Sequence, residues 1–427
     1  MKKVIRKLEQ KEIKLFTEIV STAYPGIKLT TKQEKDSFIK RIGKILKESK
    51  NVQCFGIFDD KELIGGALYY KFRMNNRGEI IDMAGIGLVA ISLLHKKEHA
   101  AKDLLSHFLN HFKDKKFRIA SLYAFNPEFY RKMGFCFGTR FYRYQIKPAS
   151  FTDYSMKSHL RYATFEDVRK IHECYEEFHR NNHGTCSKHK KSFEASFKSG
   201  EIKYLVYEEN AKIKAYMIFS QKDISKENFL RQVLEIQRLI INEPRAYKEF
   251  STFLHSQKDQ VDRIIIDSHD FDFIHLLNDP RDASENILPV VAHQFATDNT
   301  AMMYRILEPK MFIEDILKIK KPEGRFDFTL KIKDTFIKKN NISLNIHISK
   351  NKSVVSMGKL SDFVIGIDIL NLASWLMGVI DLRKLYSYGL IELDSKEKRK
   401  TKEIESMLAD IQKTIGFDIH PICLTPF

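Results

Sequence analysis

Ile86-Gly87-Leu88-Val89-Ala90-Ile91-Ser92-Leu93-Leu94-His95-Lys96-Lys97-Glu98-His99-Ala100-Ala101 opens the stretch whose reading decides the fold. Its first six residues form an uncharged apolar run of β type. A basic turn follows, and then an amphipathic segment to Phe112 with Leu104, Leu105, Phe108 and Phe112 on one helical stripe. A second apolar run from Arg118 to Phe125 leads into Pro127-Glu128-Phe129-Tyr130-Arg131-Lys132-Met133-Gly134-Phe135. Buried strand, basic turn and helix in that order make an anion site, because free N–H groups at a helix start point outward and the macrodipole favours negative charge. Lys96 and Lys97 add point charges suited to phosphate. The same pattern fits an ordinary βαβ crossover with solvated lysines.

Length and composition set the frame. A chain of 427 residues implies about three domains, and 43% hydrophobic with 30% charged residues is globular rather than disordered. The net charge of +17 comes from scattered lysines without a nucleic-acid-binding signature, so no nucleic-acid partner is expected. No signal pattern follows Met1-Lys2-Lys3, and the apolar segment from Phe363 to Ile380 is interrupted by Asp368 and Asn371, so no membrane association is expected. Five sparse cysteines fit a reducing interior, and the expected location is the cytoplasm.

Before the central stretch, a strand and helix from Val4 to Val20, a loop at Ser21 to Gly26, a helix at Lys32 to Glu48 and a hairpin turning at Asp59-Asp60-Lys61-Glu62 are expected. Lys147-Pro148-Ala149-Ser150 reads as a linker. From Arg161 the order of elements repeats, with a helix start at Thr164-Phe165-Glu166-Asp167 and strands at Tyr204, Ala215, Gln232 and Arg263. This repeat lacks a basic glycine-bearing turn: Asn242-Glu243-Pro244-Arg245 stands in that place. Cys174, His179, His183, Cys186 and His189 cluster in sequence without common zinc spacing; no metal is expected, and His183 to Cys186 reads as an exposed loop. Beyond Glu308, alternation at Phe326 to Ile332 and Ile342 to Ile348 gives a sheet, followed by expected helices at Lys359 to Ile367, Ile369 to Met377 and Arg399 to Ile411. The charge run Lys396 to Lys402 reads as a solvated helix face.

Val89-Ala90-Ile91 with Lys96 to Ala101 resembles the acyl-CoA signature of the GNAT acetyltransferases, and Phe129-Tyr130 with Gly134-Phe135 is similar to the motif that follows it there. Lys96 stands where that family usually has Arg, and His99 where it usually has Gly. The whole chain resembles the enhanced intracellular survival acetyltransferases. The resemblance implies an α/β (α+β) chain of two tandem GNAT-like mixed-sheet domains followed by a sterol-carrier-like domain. The expected division is 1–146 with the acetyl-CoA site, 147–307 without one, and 308–427.

It further implies an acetyl-CoA-dependent N-acetyltransferase. Main-chain groups of Leu88, Val89, Ala90 and Ile91 would hold the pantetheine arm, and Lys96, Lys97, His99, Ala100 and Ala101 the pyrophosphate. Tyr130 would be the general acid and the terminal carboxylate of Phe427 the general base. The implied acceptor is a small-molecule amine of aminoglycoside or polyamine type, although Pro426 replaces the acidic residue that some relatives carry before the last position. A homo-oligomer is implied by the same analogy. The alternative is a non-catalytic relative with a degenerate CoA turn, binding a lipid or a protein partner.

Overall fold

The computed structural model describes residues 3–427 except 201, 226, 229–230, 283, 285, 289–290, 320–324, 350–351, 359 and 396–399. In chain order, β1 (Val4–Lys7), α1 (Ile13–Ala23), α2 (Lys32–Glu48), β2 (Val52–Asp59), β3 (Glu62–Asn76), β4 (Glu79–Ile91), α3 (Ala100–Asp114), β5 (Ile119–Tyr123), α4 (Pro127–Arg131) and β6 (Cys136–Phe137) form the first unit. The second contains β7 (Arg140–Ile146), β8 (Leu160–Tyr162), α5 (Val168–Asn181), α6 (Lys190–Ser199), β9 (Lys203–Glu209), β10 (Lys212–Asp223), β11 (Gln232–Ile241), α7 (Pro244–His255) and β12 (Val261–Ser268). It closes with a small hairpin, β13 (Ile287–Leu288) and β14 (Ala292–His293), then β15 (Ala296–Thr300) and β16 (Met302–Ile306). The third has α8 (Pro309–Ile319), β17 (Phe326–Lys333), β18 (Ile342–Ser349), β19 (Lys352–Ser356), β20 (Phe363–Asp368), α9 (Ile369–Leu376), α10 (Leu382–Ser387), β21 (Glu392–Ser395) and α11 (Thr401–Ile415).

Three mixed sheets carry the fold, in the orders β1-β2-β3-β4-β5-β16-β6, β15-β7-β12-β11-β10-β9-β8 and β19-β18-β17-β20-β21. Each holds one parallel pair: β4 with β5, β11 with β12, and β17 with β20. The first two sheets exchange strands across the boundaries expected from sequence. β7 pairs inside the second sheet, and β16 lies between β5 and β6 of the first. Exchange of this kind ties the units into one body, because each apolar strand completes the other sheet's ladder.

At the centre of the shared body is a buried ion pair. Arg305 on β16 has no exposed side-chain surface; its Nη2 lies 2.5 Å from Asp334 Oδ2, and Nη1 donates to the Met133 carbonyl just after α4. Gly134, at φ +79°, faces this guanidinium, and a Cβ there would lie 1.8 Å from Arg305 Nη1. Only glycine accepts both that conformation and that approach.

The structure corrects two expectations of the fold. The segment expected as a helix to Ile367 is strand β20, because Phe363, Val364 and Ile365 slot as a buried parallel partner beside β17. The helix begins at Ile369, where Asp368 caps it by accepting from Asn371 N at 2.7 Å. Lys359, and the part of the charge run at 396–399, lie outside the described residues. The loop from His183 to Cys186 is buried, not exposed, since the C-terminal tail covers it: Ile422 N donates to the His183 carbonyl at 2.8 Å.

Candidate active site

Strand β4 makes the site by parting from both neighbours. Against β3, the register shifts between Gly66↔Ala90 and Leu68↔Gly87, so Leu88 and Val89 face one partner residue in a bulge. Leu88 takes φ +50° there, a conformation disfavoured for an L residue. Against β5 the parallel pairing covers Met83, Ala84 and Gly85 only. Beyond Gly85 the strands diverge, and main-chain groups on that edge of β4 are left for a ligand.

One cleft of about 650 Å³ opens at this point. Val89, Ile91, Lys96, Lys97, His99, Ala100, Ala101 and Tyr130 all line it. Two residues expected at the cofactor do not line it with their side chains. Leu88 packs half-buried at the bulge, and Ala90 is buried in the core that also holds Phe16 and Val20.

The turn before α3 is shaped for an anion. Lys97 and His99 both have left-handed backbones, at φ +68° and +62°. His99, the N-cap of α3, makes no side-chain cap, so the first-turn N–H groups stay open toward the cleft. His99 thus adopts the conformation for which glycine is usually chosen, which histidine tolerates at some cost. His95 is held by Glu98 Oε2 at 3.0 Å, and that bond raises its pKa.

Tyr130 sits on α4, whose start is capped by Asn126 with Pro127 in the first position. Its side chain is 2% exposed and meets the rings of Phe125, Phe129 and Phe135 edge-on. Burial, with Tyr24 adding to it, pushes the phenol pKa above its ordinary value, so the proton is retained at neutral pH.

Against Gly85 and Gly87 of β4 lies the chain's last residue. The Phe427 ring rests on Phe72, Tyr70 and Tyr123, with centroids 4.8, 5.2 and 5.3 Å apart. A Cβ at Gly85 would lie 3.1 Å from this ring, and one at Gly87 would lie 3.3 Å from the carboxyl carbon. Two glycines on one face of β4 therefore clear the space that residue 427 fills.

Sequence reasoning missed part of this site. Tyr24 donates to the Val89 carbonyl at 2.8 Å and lines the cleft with Ala23, Pro25 and Gly26. The end of α1 and the turn after it, expected as a loop from Ser21, thus border this cleft. The pair Gly85 and Gly87, two apart in a strand, was the available signal for close approach by another chain segment.

A second cavity, of about 780 Å³, lies between the first and second units and reaches Tyr70, Phe72, Thr425 and Pro426 beside the terminal residue. Among its described residues the second unit offers no comparable anion turn. α7 starts at Pro244, which has no N–H, and Glu243 itself accepts from Arg245 N at 3.4 Å. In the Cys/His cluster, His179 Nδ1 pairs with Thr185 Oγ1, His183 Nε2 with the Met377 carbonyl, and Asn242 Nδ2 reaches Cys174.

Comparison with known proteins matches three segments in order. Residues 4–138 and 184–306 each match an acetyltransferase (GNAT) domain, and residues 310–423 a sterol carrier protein domain. No curated protein matches the chain. Among solved structures, a GCN5-related N-acetyltransferase from Anabaena variabilis aligns over 100% of both chains at TM-score 0.77 and 18% identity. One from Kribbella flavida does so at 0.74 and 15%, and Eis1 from Mycobacterium abscessus at 0.71 and 18%. At these identities the likeness concerns the fold. With two acetyltransferase (GNAT) domains followed by a sterol carrier protein domain, the chain belongs to the GNAT acetyltransferases, on a fold that it shares with Eis1.

Proposed function

We propose that the first unit, residues 1–146, transfers an acetyl group directly from acetyl-CoA to a small-molecule amine, while 147–307 serve as scaffold and pocket wall and 308–427 deliver the terminal carboxylate. The observation that carries this reading is the position of Phe427, whose carboxyl packs beside Gly87, next to the Leu88 bulge on the strand whose Val89 lines the cleft with Tyr130.

In this reading the open amides of Ala100 and Ala101, with Lys96 and Lys97 at the turn, hold the pyrophosphate of acetyl-CoA. His99 shapes that turn through its left-handed backbone. Free main-chain groups around Leu88, Val89, Ala90 and Ile91 take the pantetheine arm, and an N–H there polarises the thioester carbonyl. The Phe427 carboxylate accepts a proton from the incoming ammonium, freeing the nitrogen lone pair. Nitrogen attacks the carbonyl carbon, and the C–S bond breaks as Tyr130 O–H donates its proton to the departing thiolate. The second proton shed by the acylated nitrogen restores the tyrosine hydroxyl, while the Phe427 carboxyl returns its own to solvent. The products are the N-acetylated acceptor and CoA.

Acetyl-CoA titration by calorimetry tests the first step, and a thiol-release assay with a panel of amines tests the transfer. A chain that binds no acetyl-CoA would be the non-catalytic relative. The aminoglycoside or polyamine acceptor implied by family resemblance depends on the charge of the second cavity. A homo-oligomer and a cytoplasmic setting belong to the same proposal, the former checked by light scattering; no described helix is long and apolar enough to cross a membrane.

A further inference from the structure

The cavity that reaches Thr425 and Pro426 has a charge opposite to what a polycation needs. Basic side chains along it come from Lys71, Arg73, Lys188, Lys190 and Arg238, with His172 and His189, and Glu176 is the one acidic side chain among the residues that line it. That carboxylate is already engaged: its Oε1 accepts from Ser187 Oγ and from Lys188 N, each at 3.1 Å.

Two of the cations converge. Lys188 Nζ donates to the Leu424 carbonyl at 2.7 Å, and Arg238 Nη2 donates to the same oxygen at 3.2 Å. Both lie over the Tyr175 ring, at 5.2 and 5.8 Å. Neither forms an ion pair with a carboxylate of the described residues; Lys188 instead lies near Arg238 and the buried, neutral thiols Cys423 and Cys186. Burial, reinforced by Arg238, pushes the Lys188 pKa well below the usual amine range. Two neighbouring basic groups that share one neutral carbonyl have no anion between them, a cavity opens in front of them, and an anion bound there would favour the charged form of Lys188.

We propose that the acceptor is an amine that also carries an anionic group, a carboxylate or a phosphate, and that Lys188 and Arg238 bind that group while the amine reaches the Phe427 carboxylate. This rests on the transfer reading above. Leu424 and Phe427 are three residues apart, so the two ends of the acceptor are separated by no more than about 11 Å. A small zwitterion or an amino-sugar phosphate spans such a distance. An aminoglycoside or a linear polyamine would instead bring several positive charges against Lys188 and Arg238, a like-charge cost that selects against it.

The test uses matched amines that differ only in the anion: cadaverine against lysine, and glucosamine against glucosamine 6-phosphate, with kanamycin and spermidine as polycations. The lysine arm reads a carboxylate and the sugar arm a phosphate. Thiol release by the full chain at saturating acetyl-CoA should favour the anionic member of at least one pair by tenfold or more in kcat/KM. In Lys188→Met/Arg238→Met that preference should collapse toward unity. A loosened tail alone would lower turnover for both members of a pair and leave their ratio unchanged, which would overturn the role of these cations.

Equal or better turnover of the unadorned amines or the polycations would overturn the proposal and leave the transferase reading standing. Should no amine be acetylated, the transferase reading fails separately. Calorimetry of lysine and glucosamine 6-phosphate against the CoA-loaded chain then decides: binding that disappears in the double variant supports the anion site, and no binding removes it.

Discussion

The carboxyl group of Phe427 lies against Gly87, close enough that a Cβ on that glycine would be 3.3 Å from its carbon and 3.3 Å from its oxygen. The last residue of the third unit thereby becomes part of the first unit's central strand environment. The tail is pinned along its length: His269 Nε2 meets the Cys423 carbonyl at 3.2 Å, and Tyr123 O–H donates to the Thr425 carbonyl at 3.3 Å.

Extending the chain beyond Phe427 converts the carboxylate into a neutral amide, and deleting Phe427 withdraws the charge by about 3.5 Å. Either change should lower turnover by about two orders of magnitude while the melting temperature stays within a few degrees. An N-terminal extension is the control. Gly87→Ala should act in the same direction more weakly, because its methyl must displace the carboxyl by a few tenths of an ångström. Full turnover in a C-terminally extended chain would remove Phe427 from the mechanism.

Tyr130→Phe keeps the ring among Phe125, Phe129 and Phe135 and deletes only the proton donor. Turnover should fall about a hundredfold with acetyl-CoA affinity nearly intact. Parallel loss of affinity and turnover would assign the tyrosine to packing.

His99→Gly removes a side chain from a residue held at φ +62°. The left-handed backbone becomes free of steric cost, about 1 kcal/mol, partly offset by greater freedom in the unfolded chain. Acetyl-CoA affinity should be kept or improved. Lys96→Ala, which removes a charge from the turn, should weaken binding by about 1 kcal/mol, and more so at low salt. If His99→Gly abolishes binding, the imidazole itself contacts the ligand.

Arg305→Met leaves Asp334 buried without its counter-ion and should cost about 3–5 kcal/mol in urea unfolding. Asp334 also accepts from Phe336 N, Ile337 N and Asn340 Nδ2, so Arg305→Met/Asp334→Asn should recover part of that loss. The same Arg305→Met change releases the Met133 carbonyl beyond α4, so turnover should drop even where the variant is fully folded.

His183 is buried, accepting from Arg77 N at 3.3 Å while its Nε2 meets the Met377 carbonyl at 3.1 Å. Burial lowers its pKa from 6.5 to about 4. Between those values the unfolded chain holds more protons than the folded one, so stability falls as pH drops, by up to about 1.4 kcal/mol per unit. Thermal melts across this window should show the decline, and His183→Gln should flatten it. An identical slope in the variant would place the acid sensitivity elsewhere.

Much of the site was legible in the chain itself. The uncharged run at Ile86 to Ile91, the basic turn at Lys96 and Lys97 and the stripe of Leu104, Leu105, Phe108 and Phe112 are local patterns, set by periodicity and by the electrostatics of a helix start. They placed β4, the basic turn, α3 and the segment that carries Tyr130 in the order that the structure shows. Local pattern misread Lys359 to Ile367, because a β-branched run buried on both faces has no period of its own. It also misread His183 to Cys186, where a polar-looking loop is covered by a distant segment.

By itself the sequence determined the elements and the chemistry-bearing turn, because strand, turn and helix propensities act between residues close along the chain. Only the tertiary structure decided which distant segments meet there. The exchange of β7 and β16, the cover of Tyr24 over Val89, the seat of Phe427 on Gly85 and Gly87, and the convergence of Lys188 and Arg238 on Leu424 join residues tens to hundreds apart. Their partners are selected by complementary shape and by the need to satisfy buried polar groups, which no local window of sequence records.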